Sequence, residues 1–426
     1  MPDLSRPVVV IGQGYVGLPL AMRAVEVGYD VVGLDLDLVR TETLSSGTSF
    51  VEDISNATLR RALDSGRYRP SADYAHARGF GVAVITVPTP LKETLPDLSF
   101  IESAAHSLAP MITHGACIVL ESTTYPGTTE ELLVPLLEAG SNLQAGEDFF
   151  VGYSPERIDP GNLKWNFVNT PKVISGINPV SLEKVESFYA SLVDSTVPVS
   201  SPKEAELTKL LENTFRHVNI ALVNELAIFA AELGVNVWES IDAAASKPFG
   251  FMKFTPGPGV GGHCLPVDPS YLSWQVRRSL GKSFRFVELA NDVNEHMPDY
   301  VVQRSIELLN DRQKSLKGSK VLLAGVAYKK NSGDSRESPA LRIIELLENY
   351  GAEVMAADPF VAPSRWPMHT TRVDFTADIV READLVLLIT DHDVFDFEML
   401  KEMSSRGETT VFDARNRLGG QSSHRL

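Results

Sequence analysis

The sequence predicts an α/β fold: two Rossmann-like doubly wound domains joined by a long central helix and a helical connector. Three observations carry this expectation. Short β-branched apolar runs ending in turn residues recur towards both ends of the chain, a glycine-rich turn follows the first of them, and helical periodicity fills the middle. The chain has 426 residues and 43% hydrophobic content, enough for two or three cores in a globular protein. Lys plus Arg number 39 against 55 for Asp plus Glu, a net charge of −16, so no general attraction to nucleic acid or an anionic membrane is expected. An anionic ligand must then be held by local cations and backbone amides. There are two cysteines, no charged and apolar leader at the start, and no apolar run of membrane-spanning length, which makes a reducing cytoplasm the expected compartment.

Residues 6–11 (RPVVVI) read as a buried parallel strand that runs straight into GQGYVG, residues 12–17. Gly12 permits a tight turn, Gly14 lets backbone approach a pyrophosphate, and Gly17 lets the following helix pack on the strand, with phosphates at the helix N-terminus. Tyr15 and Val16 complete the turn. A second strand, 30–34, ends at Asp35, where a carboxylate would accept from adenosine ribose hydroxyls and repel a 2′-phosphate. NAD is therefore the expected cofactor, with Arg40 just beyond the acid as a further contact. No metal-binding set is expected.

Strand 81–87 runs into PTPL and strand 116–120 into ESTTYPG, which places Pro88, Thr89, Ser122 and Thr123 at the carboxyl ends of strands, where ligands bind in open parallel sheets. Cys117 lies inside an apolar strand and reads as a small core residue without chemistry. A further strand, 149–153, opens into SPERIDPG. There Glu156 stands at the crevice edge, able to orient a water or act as a general base.

From residue 203 the periodicity turns helical as far as a glycine stop at Gly234, which predicts a spine between domains and a surface for pairing two subunits. Lys209 and Asn213, four apart, project from one face, and Leu210, Leu211 and Phe215 are expected on the packed side. After a second helix, 238–246, residues 256–269 read PGPGVGGHCLPVDP, a shaped loop with four glycines and four prolines. Cys264 stands in it before a helix expected from about Pro269. A thiol near a helix N-terminus has its thiolate stabilised, and a lysine would add to that, so covalent catalysis alongside hydride transfer is the chemistry implied. Asp268 can accept from Lys209 or a water and set the protonation state of the site. His263 is the weaker candidate base, because a sequence neighbour need not point the same way.

The C-terminal part repeats the α/β pattern: a strand at 320–323, AGVAYKK, a helix at 338–350, a strand ending at Asp358, and a strand at 385–389. It lacks a three-glycine fingerprint, so a second NAD site is not expected. The tail, 419–426, reads as polar and loose. The division expected is an NAD domain at 1–200, a central helical and dimerisation domain at 201–317 that carries the cysteine loop, and a C-terminal domain at 318–426.

With these residues in place, the chain resembles the UDP-glucose and GDP-mannose dehydrogenase family over essentially its whole length, and within it the branch that oxidises UDP-N-acetylhexosamines. The matching motifs, in order, are GQGYVGLPLA, VPTPL, ESTTYPGTTEE, YSPERIDPG, KPFGFM, PGPGVGGHCLPVDP and YKKNSGDSRESPA. The resemblance implies two successive NAD-dependent oxidations that take C6 of the sugar from alcohol to acid. Cys264 would form a thiohemiacetal and then a thioester, Lys209 and Asn213 would hold the oxyanion, and Asp268 would take part in proton transfer. Glu156 would assist hydrolysis and Thr123 would position a water. The same resemblance makes the C-terminal domain the UDP-binding one, with Lys329 and Arg336 at the boundary of substrate and cofactor, Gly261 near substrate, and Lys247 and Arg157 as sugar contacts. No arginine stands where the glucose branch places one near the start of the cysteine loop. That departure favours UDP-N-acetylglucosamine, without excluding its mannosamine or galactosamine epimers. The resemblance also implies a homodimer or larger homo-oligomer, and an active site in the cleft between the terminal domains. Oxidation of UDP-glucose or dTDP-glucose stays open. So does a catalytically silent NAD or nucleotide-sugar sensor, against which intact Cys264, Lys209 and Asp268 speak.

Overall fold

In the computed structural model, residues 5–51, 53–92, 95–158, 162, 164–262, 264–419 and 424–426 are described, Cys264 and Pro266 by backbone only. The chain divides into two compact units, Met1–Glu212 and Asn213–Leu426.

The strands of the first unit are β1 (Val8–Ile11), β2 (Val31–Leu34), β3 (Tyr68–Ser71), β4 (Val82–Ile85), a short hairpin of β5 (Leu91–Lys92) and β6 (Leu95–Pro96), then β7 (Cys117–Leu120), β8 (Phe150–Tyr153), β9 (Lys172–Ile174) and β10 (Thr196–Pro198). Six of them form one parallel sheet in the order β3-β2-β1-β4-β7-β8. The central strands β1, β2 and β7 are buried throughout, which their unbroken apolar sequences allow because helices cover both faces. Strand order reverses between β1 and β4, so the loops leaving these two strands diverge and open a crevice at their carboxyl ends. The edge strand β3, YRPS, escapes a search for β-branched runs because an edge tolerates proline and polar residues.

In the second unit β11 (Lys320–Ala324), β12 (Glu353–Ala357), β13 (Thr371–Arg372), β14 (Leu385–Leu388), β15 (Val411–Asp413) and β16 (His424–Arg425) form a parallel sheet in the order β13-β12-β11-β14-β15-β16. Both sheets therefore share one topology. The expectation of a loose tail is corrected at its end: β16 pairs with β15, Leu426 is buried, and its carbonyl accepts from Trp238 Nε1 at 3.0 Å. Pairing at a sheet edge needs backbone rather than apolar side chains, so a polar sequence hid this strand.

The long helix Pro202–Glu232 runs into Gly234, whose φ of +67° provides the left-handed stop that a side chain would strain. The packed side was only partly anticipated. Leu210 is buried, but Leu211 and Phe215 are exposed, as are Leu207, Leu222, Leu226, Phe229 and Leu233. At three- to four-residue and seven-residue spacings these fall along the helix as an apolar stripe. A helix at Cys264–Leu280 starts five residues before the expected Pro269, which lies inside it. Proline is tolerated there at the loss of one backbone hydrogen bond, and loop-like composition before it masked the true start. Helix Arg285–Asp311 also contains a proline, Pro298.

Candidate active site

The glycine turn forms the floor of the first crevice. Gly12, at φ +93°, donates its N–H to the Leu34 carbonyl at 2.7 Å, and a Cβ there would lie 2.8 Å from the Thr86 carbonyl oxygen. Thr86 Oγ1 donates to the Gly12 carbonyl at 2.7 Å. A Cβ on Gly17 would stand 1.9 Å from the Gly12 oxygen, so only glycine lets the helix Gly17–Glu26 sit this close to the turn. Around Gly14 nothing lies within 4 Å of a Cβ position, and no side chain caps the helix that follows Val16. Asp35 accepts from Gln13 N–H and from Arg40 Nη1, each at 2.8 Å, and from Asp37 N–H at 3.0 Å. Tyr15, in the glycine turn, is exposed. An uncapped helix N-terminus, open space at Gly14 and an acid at the end of β2 fit a dinucleotide whose ribose hydroxyls donate to the acid.

Pro88 is exposed at the rim, Thr89 is buried, and Ser122 Oγ donates to the Val87 carbonyl at 2.8 Å, which ties the loops after β4 and β7 together. Thr123 and Glu156 each follow their strand by three residues, and the strand ends themselves are in register, Leu120 opposite Tyr153. Glu156 is held on both oxygens. Its Oε1 accepts from the N–H groups of Arg157 and Ile158, both at 2.6 Å, and its Oε2 accepts from Lys172 Nζ at 3.2 Å. Lys209 Nζ donates to the Glu156 carbonyl at 2.5 Å. Arg157 is engaged by Glu212, Nη2 to Oε1 at 2.6 Å and Nε to Oε2 at 3.3 Å, and by the Pro171 carbonyl at 2.6 Å. Glu206 fixes the other loop, the one after β7, a role the motif reading lacks: wholly buried on the long helix, it accepts from the N–H groups of Gly127 and Thr129 at 2.6 and 2.9 Å. Burial pushes the Glu206 carboxyl up to about 7, against the pull of these hydrogen bonds.

In the second unit Asn213 Nδ2 donates to Asp268 Oδ2 at 2.5 Å, and both side chains are buried. Asp268 lies one helical turn from Cys264, the first residue of its helix. The Cys264 side chain, His263, and Asp159, Pro160 and Gly161 of the SPERIDPG motif lie outside the described residues. A second asparagine contact, invisible to motif reading, fixes the loop before the cysteine: Asn224 Oδ1 accepts from Gly257 N–H at 2.9 Å while its Nδ2 donates to Asn294 Oδ1 at 2.9 Å. Gly261 packs where a Cβ would meet the Glu337 carbonyl and Tyr328 at 2.7 Å, and Gly262 donates to the Arg336 carbonyl at 3.1 Å. The cysteine loop thus lies against the segment that carries Lys329 and Arg336. The Arg336 guanidinium grips Asp334, with Nη2 to Oδ2 at 2.6 Å, and Lys329 is partly buried. Lys247 is exposed, its Nζ 4.9 Å from the centre of the Phe249 ring.

The second sheet repeats the turn of the first. Gly325, also at φ +93°, donates to Ala357 O at 2.9 Å, Asp358 accepts from Val326 and Ala327 N–H at 2.8 Å each, and Thr390 Oγ1 donates to Ala327 O at 2.5 Å. Here the acid is paired with a buried histidine, His392 Nε2 lying 2.9 Å from Asp358 Oδ2, whereas Asp35 of the first turn is paired with Arg40.

These features define an NAD-dependent oxidoreductase with two dinucleotide-fold units. Three successive domains of one family match the sequence: the NAD binding domain of the UDP-glucose/GDP-mannose dehydrogenase family over residues 6–193, its central domain over 203–296 and its UDP binding domain over 322–420. The UDP-N-acetyl-D-mannosamine dehydrogenase of Pyrococcus horikoshii is 36% identical over 391 residues, 91% of this chain and 90% of that protein. The UDP-N-acetyl-D-glucosamine 6-dehydrogenase of Pseudomonas aeruginosa is 38% identical over 366 residues, 85% of this chain and 84% of that protein. The solved structure of UDP-D-ManNAc dehydrogenase from Pyrococcus horikoshii aligns with a TM-score of 0.88 at 33% identity and covers 99% of both chains. The chain belongs to the UDP-glucose/GDP-mannose dehydrogenase family and is an NAD-dependent UDP-sugar dehydrogenase. Among the described residues, no helix is long and apolar enough to cross a membrane.

Proposed function

We propose that this protein oxidises C6 of a UDP-N-acetylhexosamine from alcohol to carboxylate through a covalent intermediate on Cys264. The observation that carries this reading is the buried Asn213–Asp268 contact on the helix that begins at Cys264. NAD supplies the hydride acceptor for each oxidation, so that one alcohol, two NAD⁺ and one water give one carboxylate, two NADH and three protons.

The remaining roles fall to the chain. The glycines of the first turn, with Tyr15, Val16, Asp35, Arg40, Pro88, Thr89, Ser122 and Arg336, bind the dinucleotide. Lys209 and Asn213 stabilise the oxyanion that forms when the Cys264 sulfur adds to the C6 aldehyde. Asp268 exchanges protons with it, and the sulfur keeps C6 attached between the two oxidations. In the last step water adds to the thioester carbon with Thr123 orienting it and Glu156 taking its proton; the C–S bond breaks, and sulfur leaves as thiolate. Arg157, Lys247, Gly261 and Lys329 face the nucleotide sugar.

UDP-N-acetylglucosamine is the substrate favoured, from the missing arginine of the glucose branch and the relative in Pseudomonas aeruginosa. A second reading, UDP-N-acetylmannosamine, draws support from the relative in Pyrococcus horikoshii. The exposed stripe on the long helix supports pairing with a second copy of the chain, and the breaks between family domains support the division near residues 200 and 317. A cytoplasmic setting would keep the thiol reduced.

Purified protein assayed with UDP-N-acetylglucosamine, its two epimers, UDP-glucose and dTDP-glucose tests the reading. About two NADH per sugar on one hexosamine are expected. One NADH per sugar removes the thioester route, and turnover only on a glucose nucleotide removes the substrate assignment.

A further inference from the structure

A buried ionic cluster stands behind Glu156. Lys172, the first residue of β9, is 4% exposed, and its Nζ lies 3.0 Å from Glu121 Oε1 and 3.2 Å from Glu156 Oε2. Glu121 directly follows β7, is 2% exposed, and accepts on the same Oε1 from the Tyr189 hydroxyl. The rings of Phe167 and Tyr189 flank the ammonium, with centres 5.6 and 5.3 Å away. A lysine this deep is rare unless paired, and here burial opposes its charge while the two carboxylates hold its pKa above the ordinary lysine range. Burial pushes the Glu121 carboxyl up.

From this arrangement we propose that Lys172 is a positioning residue for thioester hydrolysis. It fixes the Glu156 carboxylate from the inner side through Oε2, with Glu121 and Tyr189 anchoring the ammonium in turn. The proposal rests on the role given to Glu156 above. Its logic is geometric: Oε1 of Glu156 is occupied by two backbone N–H groups, so Lys172 alone among the contacts above sets Oε2. The two other cations near Glu156 are described at other atoms, Lys209 at its carbonyl and Arg157 at Glu212. Neither substitutes for the missing cation when Lys172 is removed. Because Glu156 acts only after both oxidations, Lys172 should matter only to the step that consumes water.

The experiment is rapid mixing of enzyme, NAD and the hexosamine substrate, followed by NADH absorbance and intact-protein mass. In Lys172→Met, a burst of two NADH per site is expected at the wild-type rate. Steady turnover should then fall about tenfold to a hundredfold, a mass adduct of the acyl group should accumulate, and the acid limb of the turnover profile should move to higher pH. Lys172→Arg, which keeps the charge, restores turnover. In a Glu156→Gln background the Lys172→Met change adds no further loss, since one acts through the other. If the single variant folds poorly, Glu121→Gln with Lys172→Met keeps the formal charge of the cluster and carries the same expectation. Burst and steady rates that fall together, or an unmoved pH profile, overturn the proposal. Absence of the adduct in Glu156→Gln itself overturns the hydrolytic role of Glu156, and the proposal with it.

Discussion

Asp358 collects donors from five directions: the N–H groups of Val326, Ala327, Phe360 and Val361, and His392. Burial alone would raise its carboxyl, but the hydrogen bonds prevail and hold it at about 2. In the unfolded chain an aspartate titrates near about 4. Its folded value is depressed, so its contribution to stability is full above about pH 4 and lost as pH falls towards 2. Thermal unfolding followed across that window should show a falling Tm, and Asp358→Asn should flatten the fall while lowering Tm at neutral pH. The two cysteines should differ as sharply. Burial pushes the Cys117 thiol up to about 12, so it stays protonated inside β7. Alkylation of native protein at pH 8, read by peptide mass, should spare Cys117, and a Cys117→Ala enzyme should keep its turnover. Cys264→Ser should abolish two-NADH turnover.

Among elements, the turn between β1 and its helix is the least forgiving. Gly17→Ala would put a methyl 1.9 Å from the Gly12 carbonyl oxygen, so the helix must lift from the strand end. Overpacking of this kind costs about 1–3 kcal/mol, and a fluorescence titration should find NAD bound about tenfold or more weakly. This turn was legible in the sequence because strand, glycines, helix and acid follow in fixed register within about thirty residues. The helix at Cys264 was misplaced because prolines inside its first two turns look like loop. The cluster of Glu121, Lys172 and Tyr189 was not legible at all, since its members come from a strand end, a second small sheet and a helix, and meet only once the first unit has folded. Asn224 and Asn294 escaped for the same reason: an asparagine on a helix carries no local sign that it will hold a distant loop.

At the scale of the whole molecule, the stripe from Leu207 to Leu233 is a row of exposed apolar side chains of the kind that marks an interaction surface. The dimer proposed from it should fail when Leu226 and Phe229 both become glutamate. Light scattering after size exclusion should then read half the mass, with folded structure retained by circular dichroism. The repeated turn has another consequence. In both units an aspartate after the second strand binds the N–H that follows a glycine at φ +93°, but only the first of them stands in a glycine turn that fits NAD. In hydrogen–deuterium exchange the molecule therefore carries its own reference: added NAD should slow exchange at Gln13 strongly and leave Val326 and Ala327 near their starting rates, which separates ligand protection from general tightening within a single sample.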